Sequence, residues 1–270
     1  MQDLSINKSG RCDTHKGFRK FSQDGQNFYK LTHNIENLSD PFNRLKRSNL
    51  FPIDYDVKNL SESYQSLVEV IKKNDFYSSL LNAPYFPIFL QDECNFDIGY
   101  DLNNRYLPAV KESFNEKYPQ SKFKAVLQGD IVLEKQISIS SETNYNDFIK
   151  AIKKGVVAIY FPQAFQEFDI ESQRNLISYL PKCNDFKVCL SGGKDISVAL
   201  TMYPDMLINN NYYSPILCLS SYIHSDERMV LLYKSYGPHL EFWSMTQMLT
   251  PKTKQVSEQW AGGITIFREF

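Results

Sequence analysis

The spacing of apolar residues changes several times along the chain, and each change predicts an element. Tyr64, Leu67, Val68 and Ile71 recur at helical spacing, with Ser61 or Ser63 placed to cap the helix and Lys72 and Lys73 suited to its C-terminal end. Pro84 to Leu90 is an apolar run interrupted by Pro87, which predicts an edge or entry segment rather than a central strand. Leu107 to Tyr118 predicts a helix with Pro108 in its first turn. Phe123 to Leu127 and Ile131 to Ile139 read as strands, and Gln128-Gly129-Asp130 between them predicts a hairpin.

A regular rhythm follows. Asn144 to Lys154 predicts a helix with Phe148, Ile149 and Ile152 on one face, and Gly155 ends it before the strand Val156 to Phe161. Asp169 to Leu180 and Ile196 to Ile208 predict two more helices, the second ended or interrupted near Pro204. They alternate with strands at Phe186 to Leu190 and Ile216 to Tyr222. Further strands are expected at Met229 to Tyr233, Leu240 to Ser244 and Ile264 to Phe267, as a small antiparallel sheet or an extension of the main one. Residues 250–259 are the polar stretch expected to move most.

This order predicts an α+β (or α/β) fold: a central mixed sheet with helices packed on it. Residues 1–50, punctuated by Gly10, Gly17, Gly25 and the Ser39-Asp40-Pro41 turn, are expected to form an irregular segment packed on the main body through residues such as Phe18, Phe21, Phe28, Tyr29 and Leu31. Residues 51–270 are expected to form one mixed domain, with the antiparallel part at its C-terminal end.

Composition narrows the class. The chain has 270 residues and a net charge of −1, so no global field draws it to nucleic acid or an anionic membrane. The first fifty residues carry nine Lys/Arg against five Asp/Glu, which a solvated surface explains. No apolar run approaches the roughly 20 residues of a membrane helix, and the start of the chain lacks the basic and hydrophobic regions of a signal peptide. The five cysteines form no Cys-x-x-Cys pair, which points to reduced thiols in a cytoplasmic protein.

Candidate chemistry is sparse. Ser191-Gly192-Gly193-Lys194-Asp195 lies between a predicted strand and a predicted helix. A glycine-rich turn there can aim backbone N–H groups at phosphate, with Lys194 adding positive charge. Leu190 to Leu200 resembles the pyrophosphate-binding loop of the ATP pyrophosphatase family, whose pattern is Ser-Gly-Gly-x-Asp-Ser. The resemblance implies a phosphate or nucleotide ligand at Ser191, Gly192, Gly193 and Lys194. It departs from the pattern at Ile196, where serine is expected, with Ser197 one position late. The other reading of the turn is a plain strand-to-helix connection capped by Asp195.

A cysteine nucleophile would require Cys94 or Cys12 with His224 or His239 as its base. Cys183, Cys189 and Cys218 lie in or beside apolar runs and read as core thiols. His224-Ser225-Asp226-Glu227-Arg228 reads as a charged hairpin turn, with too few ligands for a metal. Aromatic and basic residues interleave in Phe18-Arg19-Lys20-Phe21 and Phe28-Tyr29-Lys30, where core packing explains the rings better than base stacking. The expectation is a non-catalytic binding or protein-interaction module with a possible protein partner. The alternative is an enzyme that uses the cysteine set, or the glycine turn with a small phosphorylated ligand. Neither a cofactor, a metal nor a nucleic-acid partner is expected.

Overall fold

The structure, a computed structural model, describes residues 4–13, 29–31, 37–51, 55–93, 96–127, 132–209, 211–246 and 259–270. The chain opens with a short antiparallel ladder, β1 (Ser5–Ile6) against β2 (Cys12–Asp13). Helix α1 (Ser39–Arg47) follows, so Ser39-Asp40-Pro41 starts a helix rather than a turn. Pro41 is tolerated there because N–H groups in a helix's first turn have no partner within the helix, and Phe42 and Leu45 bury its inner face. Helix α2 (Val57–Lys72) starts before Ser61; its cap is Asp56, which accepts from the Lys58 N–H at 3.0 Å. Strand β3 (Phe86–Leu90) precedes a helical run made of α3 (Ile98–Asp101), a π-helical turn over Leu102–Tyr106, and α4 (Leu107–Lys117).

The remaining elements are β4 (Phe123–Val126), β5 (Ile137–Ile139), α5 (Tyr145–Ile152), β6 (Val156–Phe161), α6 (Ile170–Leu176), β7 (Lys187–Leu190), α7 (Gly193–Met202), β8 (Ile216–Cys218), β9 (Tyr222–His224), β10 (Met229–Tyr236), β11 (His239–Thr246), β12 (Trp260–Ala261) and β13 (Ile264–Glu269). They make an α+β fold with two main sheets. One is mixed, in the order β12-β8-β10-β11-β4, and the other is antiparallel, in the order β3-β6-β13-β7.

The antiparallel sheet explains how the helix–strand rhythm was resolved. A helix linking β6 to β7 suits parallel neighbours, but the two strands leave one slot between them. The C-terminal strand β13 fills it, running antiparallel to both: Ile264 lies opposite Phe161 on one side and Leu190 on the other. Every residue of β6 is buried, as its unbroken apolar run requires. β3 ends the sheet on one side, which accommodates Pro87, and β7 ends it on the other.

The hairpin expected around Gln128-Gly129-Asp130 does not form. β4 pairs in parallel with β11, Phe123 opposite Leu240, and β5 pairs with β9, Ile137 opposite His224. Local alternation marks a strand, but the burial available elsewhere in the fold selects its partner. The expected turn itself lies outside the described residues, as do Phe18, Phe21, Phe28 and most of 250–259. The single strand expected from Ile216 to Tyr222 splits into β8 and β9, because the Tyr222 N–H turns back onto the Leu219 carbonyl. β10 and β11 do form a hairpin, with Gly237 at φ +57 in its two-residue loop.

One hydrophobic core runs from Cys12 to Phe267, and Ile170, Cys218, Val230 and Trp260 form a smaller cluster. α7 is buried along its whole length and packs against α1, α4 and β3. Among the described residues no helix is long and apolar enough to cross a membrane.

Candidate functional site

The glycine turn starts α7 and is closed. The Gly192 N–H donates to the Asp195 carboxylate at 2.9 Å, the Ser191 N–H to the Gly263 carbonyl at 2.9 Å, and the Lys194 N–H to the Tyr145 hydroxyl at 3.2 Å. Asp195 is the third helical residue and reaches back to the turn, in the manner of the acidic partner of a capping box. It also accepts from Tyr145 at 2.9 Å and Thr265 at 2.5 Å. Burial pushes its carboxyl up, against hydrogen bonds from Thr265, Gly192, Tyr145 and Ser191 that favour the ionised form.

Both glycines are needed for close approach. A Cβ on Gly192 would come within 2.7 Å of the Tyr145 ring, and one on Gly193 within 2.5 Å of the Tyr222 ring. A phosphate cradle at Ser191, Gly192, Gly193 and Lys194 requires outward N–H groups and an exposed lysine. Here the Gly192 and Lys194 amides are used inside the fold, two tyrosine rings cover the turn, and Lys194 is 7% exposed.

The Lys194 ammonium hydrogen-bonds both Asp92 and Asp101. Arg105 closes the cluster, with Nη1 at 3.0 Å from Asp92 and 2.7 Å from Asp101, and the Tyr106 hydroxyl donates to Asp92 at 2.9 Å. Asp101 precedes the π-helical turn and Arg105 and Tyr106 belong to it, so this irregular stretch delivers all three to one point. Among the described residues two carboxylates face two cations, and their charges cancel. Burial raises the Asp92 carboxyl, but Lys194, Arg105 and Tyr106 outweigh it and hold the group at about 2.

The cysteine and histidine candidates occupy separate elements. Cys12 is 1% exposed on β2, and its N–H donates to Ala164. Cys94 lies outside the described residues. His224 Nδ1 accepts the Asp226 N–H at 2.9 Å, and His239 Nδ1 accepts the Lys122 N–H at 3.0 Å. Each neutral ring therefore carries its proton on Nε2, which makes that nitrogen a donor rather than a base. Asp226 is held by Arg228 at 2.7 Å, as in a charged turn. Among the described residues no three His, Cys, Asp or Glu side chains gather as a metal set. Burial pushes the Cys218 thiol up to about 12 and the Cys189 thiol well above its ordinary range. Cys183 is only half-buried, which corrects its reading as a core thiol.

The other end of β7 is open. The Ser191 N–H points to β13, so antiparallel alternation turns Cys189 and Lys187 toward β13 and the N–H and C=O of Val188 away from it. Among the described residues the Val188 carbonyl is met by one donor, the Asn144 side chain, with Nδ2 at 3.2 Å on an exposed path. Asn144 precedes α5 at φ +57; its carbonyl accepts the Asp147 N–H at 3.1 Å, but its side chain makes no capping bond to that helix. Its side chain stands where a neighbouring strand would.

A hollow of about 290 Å³ adjoins this edge. It is lined by Phe186, Lys187 and Val188 of β7 and the residue before it, by Asn144 and Asp147 at the start of α5, by Ile177, Leu180 and Pro181–Cys183, and by Tyr77 and Phe267. The sequence reading placed Asn144 at a helix start and Val188 in a strand, but did not bring the two together. It also missed Asp92, Asp101, Arg105 and Tyr106 as partners of Lys194; the four-residue spacing of Asp101 and Arg105 is the one local signal for that cluster. No protein-family model, curated protein or solved structure matches the chain.

Proposed function

We propose that the chain is a non-catalytic protein-interaction module that takes an extended segment of a partner protein along the outer edge of β7. The observation that carries this reading is the Val188 carbonyl on the outer edge of β7: Val188 lines a hollow of about 290 Å³, and among the described residues its carbonyl is met by the Asn144 side chain alone. A strand edge with unpaired backbone groups can take a further strand: main-chain hydrogen bonds supply affinity and the adjoining pocket supplies selectivity. Folded proteins commonly blunt such edges. Asn144 covers this one with a single neutral hydrogen bond, which an incoming backbone N–H replaces at little net cost.

The test is selection of a random heptapeptide library on the full chain, followed by titration calorimetry of enriched peptides against the parent protein and Val188→Pro. Proline removes the outward N–H and is tolerated on an edge strand. The expected result is binding that weakens about three- to tenfold in the variant, the equivalent of one lost hydrogen bond, while circular dichroism and the melt stay close to the parent's. Failure to enrich any peptide, or equal binding to both proteins, overturns the reading.

A further inference from the structure

The charges around the β7 hollow narrow the class of segment that fits it. Its ionic side chains are Asp147, Lys182 and Lys187. Asp147 is engaged by Lys150 at 3.5 Å, and Lys187 lies 3.7 Å from Glu269. Lys182 is exposed and has no ion pair among the described residues. Lys182 therefore supplies the uncompensated charge of the hollow, and it is positive. Between the charges the lining includes the apolar side chains of Ile177, Leu180, Phe186 and Phe267.

We infer that the partner is an acidic extended peptide segment, with an Asp or Glu side chain that pairs with Lys182 and an apolar side chain that enters the hollow. This rests on strand addition at β7 and adds the chemistry of the segment. Side chains alternate along a strand, so residues two apart share a face. A carboxylate and an apolar residue at that spacing reach the same side of the added strand. The carboxylate would gain a partner without breaking an existing ion pair, whereas a lysine at the same place would face Lys182 uncompensated. Discrimination thus comes from repulsion as well as attraction.

The experiment uses the peptides enriched on the full chain. Expected is one position dominated by Asp or Glu. Its replacement by Asn or Gln should weaken binding about two- to fivefold, the range of an exposed ion pair. Lys182→Ala should abolish that difference, and Lys182→Glu should prefer a lysine-bearing version of the same peptide. Raising salt from about 50 to about 300 mM should weaken the acidic peptide more than its Asn version, because an exposed pair is screened.

A second readout leaves the protein unaltered. N-methylation of alternate peptide amides should remove binding in one frame and spare it in the other, as strand pairing requires. Peptides that are sensitive to Val188→Pro yet show no acidic position, or that ignore Lys182→Glu, overturn the acidic inference and leave strand addition standing. If no Val188-sensitive peptide exists, both fall. If light scattering finds a dimer that Val188→Pro dissociates, the occupant is a second copy of this chain, and the inference is overturned.

Discussion

The two ends of β7 make a useful contrast. At its C-terminal end lies the most recognisable motif in the chain, and every polar group described there is spent inside the fold. Gly192 N–H serves Asp195, Lys194 N–H meets Tyr145, and the Lys194 ammonium is shared by two aspartates. At its N-terminal end nothing in the sequence stands out. Yet there Val188 lines a hollow, and among the described residues its carbonyl is met by one side-chain amide. A pattern of residues that could bind a ligand is thus no guide to whether their donors are free. Vacancy is a property of the packing, and packing is settled by residues far away in sequence, such as Tyr145, Tyr222 and Asp92.

The largest expected effect breaks the closed end. Lys194→Met leaves Asp92 and Asp101 buried with Arg105 as the remaining cation among the described residues. Removing one partner of a buried ion cluster costs about 3–5 kcal/mol, and urea unfolding should show a loss of that order. A loss below about 1 kcal/mol would be the mark of an exposed lysine and would reopen the turn as a phosphate site.

A smaller effect comes from acid. The folded carboxyl of Asp92 lies near 2, below its unfolded value of about 3.9. A depressed carboxyl contributes stability that is complete above the unfolded value and is lost as pH falls through the folded one. Stability should therefore drop between about pH 4 and pH 2, and Asp92→Asn should remove part of that dependence. Asp195, pushed up by burial, works in the opposite direction and favours the protonated form at low pH. The comparison between Asp92→Asn and the parent isolates the first from the second. Unfolding curves of equal slope in pH for the two proteins would contradict the assignment.

The smallest effect belongs to the open end. Asn144→Gly keeps the left-handed conformation at φ +57 and removes the amide over Val188. Stability should change by no more than about 0.5 kcal/mol, as at an ordinary surface position, while edge-binding peptides should gain affinity because no side chain must be displaced. A large loss of stability would show that Asn144 is part of the fold's framework rather than a cover.

The sequence made the secondary structure legible where burial leaves a periodic mark. The all-buried run Val156 to Phe161, the edge position implied by Pro87, and the helix after the glycine turn all appear as expected. Pairing was less legible. Nothing local in Ile264 to Phe267 says that it enters between β6 and β7, and nothing in Phe123 to Leu127 says that it joins β11. Both choices are made by contacts more than a hundred residues apart or at the far end of the chain. The candidate site was legible only in pieces. The pattern marks Asn144 as a helix start, but its left-handed backbone and its reach to Val188 come from the tertiary fold.

Residue-resolved amide hydrogen exchange along β7 tests the contrast most directly. The Val188 amide should exchange at least about a hundredfold faster than its neighbour Cys189, which alternation turns toward β13. The Ser191 amide, bonded to Gly263 at 2.9 Å, should be as slow as Cys189. Protection of Val188 equal to that of Cys189 would mean that the edge is closed, and would contradict the assignment of an open site there.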